Sequence, residues 1–348
     1  MSARPREEPV PEDMYERSGT ASAGRVLLDG ATGTELERRG ARMSAPLWSA
    51  HALLDDPALV QRIHLDYLEA GAQVLTTDSF RTHARNLRAG GLEHRAAELS
   101  ALSVRLACAA RDAFTRGDPD GAQVRIAGAI SPLEDCFRPD DSPGDRAGPE
   151  HRAMAGHLVD AGADLLLVET MGRIDEARAA VAAAQGLGRP VWLAVVARAD
   201  GRLLAGESLA ALVAAIADLD VAALLLNCTE LGHLGAALPA LLAATATRPE
   251  LWLGAYPHTG HHDPERGWQT HAVDADVFAD ELAGWAAREP RLAVLGGCCG
   301  STPAWISALA RRVHPTPEDR ARGFHRLAAA VPRAATGDRP GEPSTRTR

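Results

Sequence analysis

A chain of 348 residues accommodates either one large α/β barrel or two smaller domains. Its 46% apolar and 24% charged content belongs to a globular protein with a sizeable core, and with only 4% aromatic residues Ala, Leu and Val have to fill most of that core. The formal charge of −9 gives a surface that repels nucleic acid and anionic membranes, which excludes both as expected partners.

In chain order, residues 1–23 are polar, rich in Pro and Glu, and lack the apolar segment of a signal peptide. They are read as a disordered tail, as are residues 333–348, with a single folded domain over 24–332. Within it, short apolar runs predict strands at Arg25–Asp29, Gln73–Thr77, Val124–Ile130, Asp164–Glu169, Val191–Ala197, Ala222–Cys228, Leu251–Tyr256 and Leu292–Leu295. Ala-rich amphipathic stretches predict helices at Pro57–Ala70, His94–Arg116, Glu150–Ala161, Ile174–Gln185, Leu209–Asp218, Leu234–Ala244, Val277–Arg288 and Pro303–Val313. The segments Glu69-Ala70-Gly71-Ala72 and Asp160-Ala161-Gly162-Ala163 read as helix stops just before strands. Cys136–Pro149, rich in Pro, Asp and Gly, reads as a long loop after the third strand.

Continuous apolar strands alternating with helices signal a parallel sheet covered on both faces. Eight such units point to a (β/α)8 TIM barrel. A doubly wound sheet is the alternative, but no G-x-G-x-x-G follows the first strand. No apolar run reaches the roughly 18 residues that a membrane-spanning helix needs. The five cysteines are an odd number in a long chain, so a disulfide framework is not expected, and free thiols fit a reducing, cytoplasmic setting.

In a barrel of this kind, polar residues at the C-terminal strand ends build the active site. Here those ends carry Asp29, Thr77-Asp78, Ser131, Glu169-Thr170, Arg198, Asn227-Cys228, Tyr256 and Cys298-Cys299. Three cysteines thus fall at the ends of strands six and eight. Adjacent cysteines rarely bridge each other, whereas two thiolates from a Gly-Gly-Cys-Cys-Gly turn can converge with a third on a soft metal such as zinc. Spacing alone leaves this open against a buried strand-end thiol and a tight turn. Cys108, amid Ala and Leu in a helix, reads as core, and Cys136 as an ordinary loop thiol able to reach the site mouth. His258, His261, His262 and His271 read as a solvated loop, with a second metal site as the rival; Trp268 either covers the pocket or packs.

Seven motifs decide between the readings. "LLDGATGTELERRG" (Leu27–Gly40), "IHLDYLEAGAQVLTTDSF" (Ile63–Phe80), "AGAISP" (Ala127–Pro132), "DLLLVET" (Asp164–Thr170), "LLLNCTE" (Leu224–Glu230), "AYPHTG" (Ala255–Gly260) and "LGGCCGSTPAWI" (Leu295–Ile306) run through nearly the whole folded part. In order and spacing the chain resembles the homocysteine S-methyltransferase family. That resemblance implies a (β/α)8 barrel in which Cys228, Cys298 and Cys299 hold Zn2+ with a fourth position for the acceptor sulfur. It implies methyl transfer from S-methylmethionine, or S-adenosylmethionine, to homocysteine, giving methionine. It places Asp29 and Glu169 near the amino acid, Glu169 facing its ammonium, with Gly30, Thr77, Ser131, Asn227 and Tyr256 in the loops and strand ends that line the pocket. No catalytic group is expected beyond the activated substrate thiolate. A sulfonium donor releases a neutral leaving group, so positioning and activation carry the reaction.

From the residues alone, competing roles stay open. Asp29 is also a natural loop cap, Glu169 a partner for a structural Arg, and Thr77, Ser131 and Asn227 are able to satisfy backbone. Two positions depart from the family pattern: Asp78 and His258 both stand where Asn is usual. They direct attention to a related thiol or selenol as acceptor. The remaining alternatives are a different thiol or onium pair, including betaine-type donors, on the same scaffold, or a non-catalytic zinc-binding protein. A homo-oligomer is compatible with all of these.

Overall fold

The computed structural model describes residues 24–117, 121, 123–263, 267–269 and 273–334. Eight parallel strands form the central sheet: β1 (Val26–Leu27), β2 (Val74–Thr76), β3 (Arg125–Ile130), β4 (Leu165–Met171), β5 (Val191–Val195), β6 (Ala223–Glu230), β7 (Trp252–His258) and, after a two-stranded hairpin of β8 (His261–Asp263) and β9 (Gly267–Gln269), β10 (Leu292–Leu295). Each pairs in parallel with its neighbour in the order β1-β10-β7-β6-β5-β4-β3-β2. The ring closes between β1 and β2 through a parallel bridge from Leu28 to Val74 and the bonds Gln73 N–H to Leu27 O (2.7 Å) and Asp29 N–H to Val74 O (3.1 Å). The expected (β/α)8 barrel is the fold.

Strand alternation sorts the core into two layers. Val26, Leu28, Leu165, Leu167, Trp192, Ala194, Ala223 and Leu225 point into the barrel and cluster there. Their sequence neighbours Leu27, Leu166, Val168, Leu193, Val195, Leu224 and Leu226 face the surrounding helices. Two aromatic side chains, Trp192 and Tyr256, are buried in the barrel interior beside small residues such as Ala194 and Ala223.

The helices are α1 (Thr32–Arg38), α2 (Ala50–Asp55), α3 (Pro57–Glu69), α4 (Ala84–Arg88), α5 (Ala96–Thr115), α6 (Gly148–Asp160), α7 (Ile174–Ala184), α8 (Leu209–Ala215), α9 (Leu234–Ala244), α10 (Ala275–Arg288), α11 (Pro303–Val313) and α12 (Pro317–Ala330). The eight predicted helices are all present with ends moved by a few residues. Gly71 and Gly162 adopt φ of 111° and 101°, the left-handed turn that stops α3 and α6 before the next strand. The short α1, α2 and α4 lie in segments where too few residues exist for periodicity to register. The loop after β3 contains two short 3-10 turns, Pro139–Asp141 and Gly144–Ala147.

Helix α12 is the main addition to the predicted elements. It starts at a capping box, Thr316 with Asp319, and lays Leu327 and Val331 against the interior cluster at the N-terminal end of the barrel. Arg125 Nε donates to Val331 O (2.6 Å) and Gln73 Nε2 to Arg320 O (2.9 Å), so this end is plugged. Beyond it, the Ala334 N–H donates to Asp164 Oδ1 (2.7 Å), which ties residues 333–334 to the barrel where the sequence predicts the start of a loose tail. Residues 1–23 and 335–348, read as tails, lie outside the described residues. No described helix is long and apolar enough to cross a membrane.

Candidate metal and substrate site

At the C-terminal ends of the strands lies a cavity of about 650 Å³. It is lined among others by Asp29, Gly30, Thr77, Asp78, Arg81, Cys136, Glu169, Thr170, Cys228, Tyr256, Cys298 and Cys299. All three candidate metal ligands therefore open on one chamber.

Local backbone geometry aims them. Cys228 follows Asn227, which by alternation with Ala223 and Leu225 points inward, so a regular strand would turn Cys228 out towards the helices. A left-handed φ of 45° at Cys228 breaks the alternation and brings its sulfur to the cavity. Thr170 does the same after Glu169, with φ of 62°. Such backbone costs about 1–3 kcal/mol per non-glycine residue and persists only where surroundings enforce it. Here the enforcement is visible: Asn227 Oδ1 accepts from the Thr170 N–H (3.0 Å) and Asn227 Nδ2 donates to Thr170 Oγ1 (2.8 Å).

The sulfurs of Cys228, Cys298 and Cys299 lie within 4.8 Å of one another, and Cys228 Sγ is 3.7 Å from Cys299 Sγ. A tetrahedral zinc with Zn–S bonds of about 2.3 Å holds its sulfurs about 3.8 Å apart, so the donor set fits that ion. The cysteines are free of disulfides. Hydrogen bonds from Cys228 and Cys298 hold the Cys299 thiol well below the ordinary thiol range, while the neighbouring Cys298 and Cys299 push Cys228 well above it. One thiolate is thus stabilised by the others, and ionising all three needs a cation in their midst.

Beside the sulfurs stands a buried carboxyl pair. Glu169 continues the inward face of Leu165 and Leu167 and accepts a hydrogen bond from the Tyr256 hydroxyl (3.1 Å). Burial pushes its carboxyl up to about 7, the Tyr256 bond opposing this and the Cys299 sulfur adding to it. The structural Arg that sequence reasoning kept as a rival partner is not within ion-pair distance of Glu169 among the described residues. Asp29, 1% exposed, ties β1 to β2 by accepting the Thr76 N–H through Oδ2 (2.8 Å), and burial holds its carboxyl well above the ordinary range.

Other candidates turn out to serve the walls. Thr77 touches the cavity, but its hydroxyl is engaged by Ser79 Oγ (2.7 Å) and accepts the Ala129 N–H (3.0 Å). Ser131 Oγ donates to Phe80 O (2.6 Å) and does not line the chamber. Asn227 is fully buried behind it, both ends of its amide taken by Thr170. Arg198 is exposed and pairs with Asp200 (2.9 Å). His258 is buried at the end of β7, outside the lining; His271 and the side chains of His261, His262 and Trp268 fall outside the described residues. Cys108 packs half-buried against the core, as expected, and Cys136 reaches the cavity wall. Arg81 and Ser49 are lining residues that the sequence did not single out. The only available signal for Arg81 was its charge three positions after Asp78 in a strand-end loop.

The family model described as homocysteine S-methyltransferase matches residues 26–313. A homocysteine S-methyltransferase of Escherichia coli is 37% identical over 300 residues, covering 82% of this chain and 94% of that protein. A selenocysteine Se-methyltransferase of Brassica oleracea is 31% identical over 318 residues, covering 84% and 90%. Among solved structures, the metallated form of the homocysteine methyltransferase from Escherichia coli superposes with a TM-score of 0.71 at 32% identity, covering 86% of this chain and 99% of that one.

Proposed function

The chain is a methyltransferase that belongs to the homocysteine S-methyltransferase family, and from that premise we propose that it moves a methyl group from S-methylmethionine to the sulfur of homocysteine, giving methionine. The observation that carries this reading is the convergence of Cys228, Cys298 and Cys299 in the chamber that also holds the Glu169–Tyr256 pair.

Zinc held by the three cysteines would supply a Lewis acid that lowers the pKa of an added thiol, so that homocysteine reacts as its anion near neutral pH. The chain's own groups then orient the reactants. Glu169, fixed by the Tyr256 hydroxyl, takes the homocysteine ammonium; a buried carboxyl without a cation of its own gains most from that partner. Asp29 and the backbone at Gly30 close the chamber on the β1 side. The homocysteine sulfur forms its bond to the methyl carbon as the donor sulfur–methyl bond breaks, and the electron pair leaves on a neutral thioether. No proton has to reach the leaving group, so the chamber needs to position the two reactants rather than to supply an acid. S-adenosylmethionine is the alternative donor. A selenol acceptor is the second reading, supported by the similarity to the Brassica oleracea selenocysteine Se-methyltransferase.

The test is zinc content and methyl transfer from S-methylmethionine to homocysteine, in the wild type and in Cys299→Ser. Zinc-loaded wild type with turnover, and loss of both in the variant, is the expected result. Bound zinc without turnover of any thiol or selenol overturns the enzymatic reading in favour of a zinc-binding protein. Full activity in metal-free protein overturns the role of the metal.

A further inference from the structure

The loop that follows β2 carries two charged side chains that the proposed chemistry has not used. Asp78 is 4% exposed, lines the chamber, and its Oδ2 has no hydrogen-bond partner. Arg81, three residues on, lines the same chamber; its buried Nε is likewise without a partner, and its guanidinium rests over the Phe80 ring at 5.3 Å. Among the described residues no carboxylate, Asp78 included, lies within ion-pair distance of Arg81. Elsewhere in the chain opposite charges three or four residues apart do pair, as Arg38 with Glu35 (2.6 Å) and Arg62 with Asp66 (2.7 Å) do. Asp78 and Arg81 are held apart, both facing space that a ligand can enter.

We propose that Asp78 and Arg81 form a subsite for the α-amino-acid end of the methyl donor, Asp78 taking its ammonium and Arg81 its carboxylate. The inference rests on the methyl-transfer reading above and adds the class of donor. Methyl transfer between two amino-acid-type molecules brings two ammonium groups and two carboxylates into one chamber. A buried carboxylate without a cation, and a guanidinium without an anion, are costly in the empty protein and are matched by a zwitterion lying between them. A planar guanidinium binds a carboxylate through two parallel N–H bonds, which fixes the ligand's orientation as well as its place.

Two observations assign this subsite to the donor and leave Glu169 to the acceptor. Glu169 is held by Tyr256 at the end of β7, the strand that lies between β6 and β10, whose ends carry the cysteines, whereas Asp78 follows β2, which pairs with neither of those two strands. Glu169 is thus the carboxyl close to where the acceptor sulfur has to sit. Asp78 opens on the chamber from the β2 loop, which the Trp48–Ser49 segment lines together with it. An onium donor with a carboxylate but no N–H, of the betaine type, leaves Asp78 unsatisfied and is selected against.

The test measures binding of S-methylmethionine, S-adenosylmethionine and the deaminated analogue of S-methylmethionine to the zinc-loaded protein by calorimetry, alongside the KM of homocysteine. Wild type should bind S-methylmethionine about 10- to 100-fold more tightly than the deaminated analogue, the range expected for hydrogen bonds to a charged group. Asp78→Asn should abolish that preference, and Arg81→Gln should weaken the amino-acid donor and the deaminated analogue alike. Homocysteine KM and zinc content should be retained in both variants. The tighter of the two amino-acid donors identifies which one the subsite serves. Absence of the preference in wild type overturns the proposal without need of any variant. So does its persistence in Asp78→Asn, or a parallel loss of homocysteine affinity, which would make the pair part of the acceptor site. Donor binding without turnover would overturn the proposed function and leave the subsite standing; turnover with an unaltered donor preference in Asp78→Asn would overturn the subsite alone.

Discussion

Asn227 holds Thr170 at two points, backbone and hydroxyl, across the gap between β6 and β4. Each partner is followed or formed by left-handed backbone, at Cys228 and at Thr170 itself, so one amide steadies both the strand end that delivers a metal ligand and the one that delivers Glu169. Asn227→Ala strands the Thr170 N–H in a buried position at about 1–3 kcal/mol and releases the strained turns. Chemical denaturation should show a loss of about 2–4 kcal/mol, and the zinc-loaded fraction should fall with it. Unchanged stability and zinc content would reduce Asn227 to a wall residue.

Tyr256 and Glu169 make a second testable pair. Tyr256→Phe removes the hydroxyl bonded to the Glu169 carboxyl but leaves the sulfur ligands in place. The expected result is a homocysteine KM raised about 10-fold with zinc retained, and a larger rise for Glu169→Gln, which cannot carry charge. Steady-state kinetics with homocysteine as the varied substrate reads this directly, and a change confined to kcat would argue against ammonium binding.

Acid sensitivity should have an identifiable histidine component. His64 in α3 is fully buried, neither ring nitrogen has a partner, and burial lowers its pKa to about 4. The folded value lies below the unfolded value of about 6.5, so the unfolded chain binds more protons between the two. The stability this histidine permits is complete above about pH 6.5, falls as pH drops towards about 4, and is constant below. The loss is at most about 3 kcal/mol. His64→Leu should flatten the pH dependence of the denaturation midpoint over that window, and an unchanged slope would refute the assignment.

The barrel plug can be tested at one residue. Gly323 in α12 sits where an added Cβ would lie 2.3 Å from Arg25 O and 2.7 Å from Gln73 Oε1. Helix propensity favours Ala over Gly by up to about 1 kcal/mol in a helix interior. A backbone clash of this depth costs about 1–3 kcal/mol or more, so the sign is set by packing. Gly323→Ala should lower the melting temperature, and a raised one would mean that α12 does not press on β1.

The order of the barrel was legible because it depends on local pattern. Apolar runs of strand length, Ala-rich stretches of helical period and the Gly71 and Gly162 stops are each written within a few consecutive residues. The three cysteines were legible for a related reason: the strand ends of a closed barrel share one rim, so Cys228 and Cys298-Cys299 meet without any detail of side-chain packing. α12 was missing from the predicted elements although its start carries a capping box, Thr316 with Asp319; what only the tertiary structure decides is that its apolar face closes the barrel end.

What the sequence by itself determined, then, was the barrel and the set of residues on its rim. The tertiary structure decided which of them look into the chamber. Alternation alone would aim Cys228 at the helices; the left-handed φ at Cys228 turns its sulfur to the chamber, while Asn227 stays buried with its amide taken by Thr170. Such turns are adopted by non-glycine residues only under the enforcement of contacts distant in sequence, here the Asn227–Thr170 pair, 57 positions apart. For the same reason Asp78 and Arg81 show as a matched, unpartnered pair only once β2, the Trp48–Ser49 segment and the strand ends enclose a common space.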